Sequence, residues 1–283
     1  MRLPSGPGSG NWKGPLRPGH NDEIMSIEQF IENEVKSNDK RFANQAESFG
    51  GRTVVITGGT SGIGLATARE VIGRGGNVIL MGRTSERLTA ARKALGSAAS
   101  TVQVDVTDED ALKTAFANID RIDHLVTAAA GTLRGRVVDL DTRHARQLFE
   151  SKFWGQHHCL KYAAPRMAAD GSVVLFSGWV SRKPAVEMST LAAINSAIEA
   201  LARTMALELA PVRVNAITPG QIDTPLWRSR LSETEVRAHF DRVASALPVG
   251  RVDTADDVAH AVLFLMTNGF MTGAVLDIDG GWR

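Results

Sequence analysis

Among its 283 residues the chain has one cysteine and one tyrosine. The lone thiol, Cys159, excludes an internal disulfide and a zinc cage of cysteines, since either needs a second sulfur. With no disulfide framework asking for an oxidising environment, a cytoplasmic, reducing compartment is expected. The lone phenol, Tyr162, restricts any chemistry that needs tyrosine to one address. Excess charge is missing as well: 32 Lys and Arg stand against 31 Asp and Glu. So balanced a chain is no polyelectrolyte for nucleic acid or for a membrane surface, though a local basic pocket stays open to it. Long apolar runs are absent too. The best of them, "AVLFLMTNGFMTGAVL", is interrupted by Thr267, Asn268, Gly269 and Gly273 and falls short of the roughly 20 residues that span a bilayer. No pair of histidines or carboxylates has metal-ligand spacing, so no metal is expected.

What is present suits one large α/β domain. An apolar fraction of 43% supplies a sizeable core. The start, "MRLPSGPGSGNWKGPLRPGHND", lacks the apolar centre of a secretory signal and reads as a flexible tail over residues 1–24. Ile27, Phe30, Ile31 and Val35 follow at helical spacing, which predicts a helical extension over residues 25–50. From Gly51 to the end, residues 51–283, apolar β-rich runs alternate with helical patterns. Strands are predicted at Thr53–Thr57, Asn77–Met81, Ser100–Val104, His124–Ala128, Ser172–Ser177, Val212–Ile217 and Ala274–Ile278. Most lack polar alternation, as parallel strands buried on both faces do. With helices as right-handed crossovers, the reading is a doubly wound, seven-stranded parallel sheet flanked by helices. Ser232 with Glu235, and Thr254 with Asp257, have capping-box spacing. "DRIDH" and "DEDA" read as solvated loops and helix-start charges.

"TVVITGGTSGIGLATAREV" sets Gly58, Gly62 and Gly64 between an apolar strand and a helical pattern. Glycines there permit a tight turn and close backbone approach, and the helix N-terminus offers free N–H groups to a pyrophosphate. "TGGTSGIG" at Thr57–Gly64 resembles the cofactor motif of the short-chain dehydrogenases/reductases. The resemblance extends from Gly51 to Trp282 through "DV" at Asp105–Val106, "TAAAG" at Thr127–Gly131, "RVNAITPGQIDTPL" at Arg213–Leu226 and the closing "GAVLDIDGG". It implies a single Rossmann-type domain that binds a nicotinamide dinucleotide. The implied contacts are Gly58, Thr60, Ser61, Gly62, Ile63 and Gly64 at the phosphates, and Asp105 and Val106 at adenine. Ala129 and Gly131 follow the fourth strand, and Pro219, Gly220, Ile222 and Thr224 flank the nicotinamide. "TAAAG" departs from the family's N-N-A-G in its first positions.

The end of the second strand selects between cofactors. A carboxylate there binds the ribose 2′-OH of NAD and repels a 2′-phosphate. "MGRTSER" has none: Gly82 leaves room, Arg83 offers a planar cation, and Thr84 and Ser85 bring hydroxyl donors. NADP(H) is therefore expected over NAD(H). The alternative is an Arg83 that solvates the strand end or stacks on adenine.

The family's reaction needs a tyrosine acid–base, a lysine four residues later, a serine thirteen positions before the tyrosine, and an asparagine on the preceding long helix. By the resemblance those positions hold Leu191, Asn195, Gly178 and Lys152, so all four depart from the pattern. Tyr162 does not repair the loss. It lies ten residues beyond Lys152, about 80° away around an ideal helix. Lys152 is the one candidate catalytic residue. In a partly apolar cleft a lysine gives up its proton more easily and can also replace the lost ribose clamp. Its alternative is a stem packed on the helix with the ammonium in solvent or on a carboxylate. Ser177 is expected to point away from the substrate, Ser189 and Thr190 to cap their helix, and Asn195 to donate one hydrogen bond to the nicotinamide ribose without lysine's charge. His157 and His158 read as packing or surface residues, and Trp179 as pocket wall or core.

Three functions fit. One is an NADP(H)-dependent oxidoreductase on a small carbonyl or alcohol, its proton supplied by Lys152 or an ordered water. The second is a cofactor-binding sensor or partner subunit without catalysis, and the third a lyase or isomerase on the same scaffold. The resemblance also implies a homodimer or homotetramer, pairing helices near Thr142–Met167 and Glu187–Leu209. The region "LWRSRLSETEVRAHF" is the expected lid and carries no substrate signature.

Overall fold

In a computed structural model, the described residues are 49–283 apart from 130, 229, 230 and 283. The tail over 1–24 and all but the last two residues of the 25–50 extension lie outside them. Seven strands form one sheet: β1 (Thr53–Thr57), β2 (Asn77–Gly82), β3 (Ala99–Gln103), β4 (Ile122–Thr127), β5 (Met167–Phe176), β6 (Arg213–Pro219) and β9 (Val275–Ile278). Their order is β3-β2-β1-β4-β5-β6-β9, every pairing parallel. The order reverses between β1 and β4, which opens a crevice at their carboxyl ends, the place where doubly wound sheets take ligands. Two further strands, β7 (Ile222–Asp223) and β8 (Asp253–Thr254), form a separate parallel pair.

The helices are α1 (Gly62–Gly73), α2 (Ser85–Leu95), α3 (Glu109–Ala117), α4 (Thr142–Phe149), α5 (Gly155–Ala163), α6 (Ser189–Glu208), α7 (Pro225–Arg228), α8 (Glu233–Ala246) and α9 (Ala255–Thr267). Alternation along each strand divides the core in two. Val55 and Leu125 pack with Leu112, Phe116, Leu160, Ile194 and Ile198 on one face. Val54 and Ile56 pack with Val71, Leu80, Val262 and Leu265 on the other. Phe49, two residues ahead of Gly51, is fully buried in that second core. Both capping boxes form, Ser232 with Glu235 on α8 and Thr254 with Asp257 on α9. Among the described residues no helix is long and apolar enough to cross a membrane.

Several local expectations are corrected. The helix expected over Thr142–Met167 runs helical without a break from Thr142 to Arg166, but it is not regular: a five-residue π turn, Glu150–Trp154, joins α4 to α5, and a 3₁₀ turn, Ala164–Arg166, ends it. β5 begins at Met167 rather than Ser172. Ser189 and Thr190 do not cap α6, whose N-cap is Met188 with no side-chain bond. Nor is "DRIDH" a solvated loop. Asp123 and His124 are buried, because Asp123 accepts from Arg52, Arg121 and the Thr53 amide while His124 Nδ1 shares a 2.8 Å hydrogen bond with Ser172 Oγ.

Candidate functional site

The glycine turn between β1 and α1 is shaped by backbone contact. Gly58 has φ +71°, and a Cβ there would lie 2.7 Å from the Ala129 amide nitrogen. At Gly64 a Cβ would meet Gly58 O at 2.4 Å, so only glycine lets the helix sit against its own entry turn. Gly62 (φ +52°) stands beside Thr224, whose methyl would be 3.4 Å from a Cβ. Ser61 caps α1 without a side-chain bond, and no acid occupies the first turn. Free N–H groups and the helix dipole therefore face the crevice unopposed. The fold thus gathers Gly58, Thr60, Ser61, Gly62, Ile63 and Gly64 with Ala129 and Thr224 around one mouth. Gly220 closes in on the last strand, its amide donating to Ile278 O at 2.8 Å, and Ile222 is buried in β7. Gly131 packs toward Leu148, 3.1 Å from a virtual Cβ.

At the end of β2 the Arg83 side chain is 76% exposed, its Nη1 3.9 Å from Asp105 Oδ2. Asp105 is otherwise occupied with the Thr107 amide and hydroxyl. Thr84 caps α2 without using its hydroxyl on the helix. An exposed guanidinium beside an uncommitted hydroxyl and a glycine is a fit arrangement for a phosphate. Val106 touches α5: a Cβ on Gly155 would lie 2.8 Å from Val106 Cγ2.

Across the crevice, the π turn carries Lys152 inward. Its side chain is buried and its Nζ donates to Ser177 O at 3.0 Å and Phe176 O at 3.3 Å. The solvated or carboxylate-paired alternative does not hold, since the amine is in neither solvent nor a carboxylate pair. Burial pulls its pKa down to about 8. Gln156, which sequence reasoning missed, braces this region: Nε2 donates to Lys152 O and Phe176 O, while Oε1 accepts from the Phe176 amide and Thr127 Oγ1. No motif marks it; the contact spans two strands.

Gly178 and Asn195 meet directly. Asn195 Nδ2 donates to Gly178 O at 3.1 Å, and a Cβ on Gly178 would lie 2.8 Å from that nitrogen. Asn195 Oδ1 is buried with no partner. Leu191 packs into the first core with Ile194 and Ile198. The Ser177 hydroxyl is directed at α6, its one hydrogen shared between Asn195 O and the buried Glu199 Oε1, each 3.1 Å away. Trp179 stacks on Trp282 with ring centroids 4.8 Å apart. Tyr162 is elsewhere: its hydroxyl donates to Glu109 Oε1 at 2.7 Å, at the start of α3. His157 and His158 join an aromatic cluster with Phe153 and Trp154. Three successive carbonyls, from Phe176 to Gly178, are thus met by donors from Lys152 and Asn195, at the position where a serine is expected.

A family model described as Enoyl-(Acyl carrier protein) reductase matches residues 58–283. The chain is 33% identical over 249 residues to the cis-4-hydroxycyclohexanecarboxylate dehydrogenase of Sinomonas cyclohexanicum, covering 83% of this chain and 98% of that one. It is 30% identical to the L-xylulose reductase of Mus musculus, covering 82% and 96%. Among solved structures, it is similar to a small-chain dehydrogenase crystallised in complex with NADPH, with 36% identity, a TM-score of 0.69, and 82% and 98% of the two chains covered.

Proposed function

The chain belongs to the short-chain dehydrogenase/reductase family of oxidoreductases, and from that premise we propose that it interconverts a small carbonyl and alcohol with NADP(H), using Lys152 in place of a tyrosine. The observation that carries this reading is the crevice itself. Its glycine mouth is intact and closes on Ala129 and Thr224, while one buried amine lies against the carbonyls beside Gly178. Gly58, Thr60, Ser61, Gly62, Ile63 and Gly64 would hold the pyrophosphate, and Asp105 and Val106 the adenine side. Ala129, Gly131, Pro219, Gly220, Ile222 and Thr224 would flank the nicotinamide end, where the bound cofactor supplies or accepts hydride.

Lys152 holds the matching proton. An ammonium has three donors and two are directed at Phe176 O and Ser177 O, which leaves one for a substrate oxygen. A pKa brought down to about 8 lets the amine release and regain that proton near neutrality. Asn195 Oδ1, buried and without a partner, is an acceptor suited to a ribose hydroxyl. Arg83 and Thr84 support NADP(H) over NAD(H). Exposed Trp154 beside α5 and Leu207 on α6 support pairing of these helices in a homodimer or homotetramer, which light scattering on the eluting protein tests.

The decisive assay follows nicotinamide absorbance with NADPH and a carbonyl panel, then with NADP and alcohols. Turnover that falls at least ~100-fold in Lys152→Met, with NADPH affinity retained, is expected for a lost proton donor. Full activity in that variant removes the role. A second reading, a cofactor-binding sensor or partner subunit, draws on Leu191 in the core and on the two Lys152 donors bonded to backbone. It expects NADPH binding with no turnover on any substrate, and a partner whose affinity changes with cofactor oxidation state.

A further inference from the structure

Three elements converge near the crevice without belonging to the cradle. The loop after β4 carries Arg134, the segment ahead of α6 carries Glu187, and α8 carries His239. The first two are joined, since the Gly135 amide donates to Glu187 O at 2.9 Å. Arg134 Nη2 lies 3.5 Å from Glu187 Oε2, with the side chains 60% and 43% exposed. On the α8 side, His239 Nε2 bonds Gln221 Oε1 in the Pro219–Thr224 segment, and Trp227 packs on the histidine ring at 4.6 Å. Burial, Arg242 and then Arg134 hold the His239 pKa below its ordinary value.

Glu187 has φ +68°, the one positive value among the described non-glycine residues. Holding a glutamate in that left-handed region strains the backbone, which a glycine avoids. The chain nevertheless keeps a carboxylate there, opposite a guanidinium. The pair is loose: 3.5 Å exceeds the roughly 2.7–2.9 Å of a tight charge-assisted bond. Arg134 has five N–H donors, and among the described residues Glu187 is the one carboxylate within 4.0 Å. Most of its fork is free to take a second, planar anion.

We infer that Arg134 is a specificity-determining residue that binds a carboxylate on the substrate, with Glu187 positioning the guanidinium at the mouth. This rests on the oxidoreductase reading above and narrows its substrate to a keto acid or hydroxy acid. The crevice then orients the molecule from both ends, the acid on Arg134 and the reacting oxygen toward Lys152.

The test is calorimetry on the full chain, with and without NADPH, using acid and amide pairs of one skeleton: 4-acetylbenzoate against 4-acetylbenzamide, and 4-oxopentanoate against 4-oxopentanamide. At least one acid is expected to bind about tenfold or more tighter than its amide, the scale of one charge-assisted contact. Arg134→Ala is expected to erase that preference and Arg134→Lys to keep part of it. Both alter an exposed side chain, and an unchanged unfolding midpoint verifies the fold. No acid favoured over its amide, whether the pairs bind equally or not at all, overturns the inference. So does a preference that survives Arg134→Ala. Failure of NADPH to bind would instead sink the oxidoreductase reading, and it is read in a separate titration.

Discussion

Replacing Lys152 by methionine gives a stability signature that depends on where the amine sits. In the folded chain burial holds its pKa at about 8, against an ordinary lysine value of 10.5. Between those values the unfolded chain binds the proton that the folded chain has released, so stability rises with pH through that window. Below pH 8 both states are protonated and the full penalty of a buried ammonium is present. At 1.36 kcal/mol per unit that penalty is about 3 kcal/mol at pH 7, falling to under about 1 kcal/mol at pH 10. Lys152→Met also loses the bonds to Phe176 O and Ser177 O, a term that does not vary with pH. The informative quantity is therefore the change in the difference between variant and parent. Urea unfolding at pH 7, 8, 9 and 10 is expected to show the parent gaining about 2 kcal/mol on the variant across that range. Other titrating groups cancel in the subtraction. A difference that stays flat with pH refutes the reasoning, because it means that the amine titrates as it does in water.

Further outcomes follow from the same geometry. Gly178→Ser is expected to destabilise by about 1–3 kcal/mol through overpacking against Asn195, and the added Asn195→Ala change to recover most of it in a double-mutant cycle; additive effects would contradict the contact. His124, buried and held down to about 4, stays neutral in the fold while the unfolded chain protonates near 6.5. Its stability contribution is present above pH 6.5 and lost as pH falls toward 4, about 3 kcal/mol in all, so His124→Leu should flatten the acid limb of a urea-midpoint profile. Cys159 is buried with its thiol pushed up to about 12. It should ignore Ellman's reagent at pH 8 in the native protein and react once per chain in urea; rapid native reaction would contradict its burial. Arg83→Ala should weaken NADPH binding about tenfold and leave NADH unchanged; equal losses would remove the 2′-phosphate role.

The parts of the molecule readable in the sequence are those written in local pattern. Buried parallel strands appear as apolar runs, the capping boxes as residues three apart, and the cradle as glycines whose Cβ would strike backbone. The π turn at Lys152 was not readable, because an extra residue in a helix leaves composition and apolar spacing nearly unchanged. β5 starts at Met167, ahead of the apolar run at Ser172, and its pairing with β4 shifts register between Ile122 and His124, which no local pattern records. Asp123 and His124 looked like surface charge, since their partners Arg52 and Ser172 lie 71 and 48 residues away. In the same way nothing local joins Arg134 to Glu187. The four altered catalytic positions were visible as substitutions. That Asn195 fills the space above Gly178, and that Lys152 reaches the adjoining carbonyls, required the third dimension.

The most direct test of the whole account is a calorimetric titration of the full chain with NADPH and, separately, with NADH. Saturable binding of one NADPH per chain, tighter than that of NADH, is the expected result. Heats indistinguishable from dilution for both dinucleotides would contradict it.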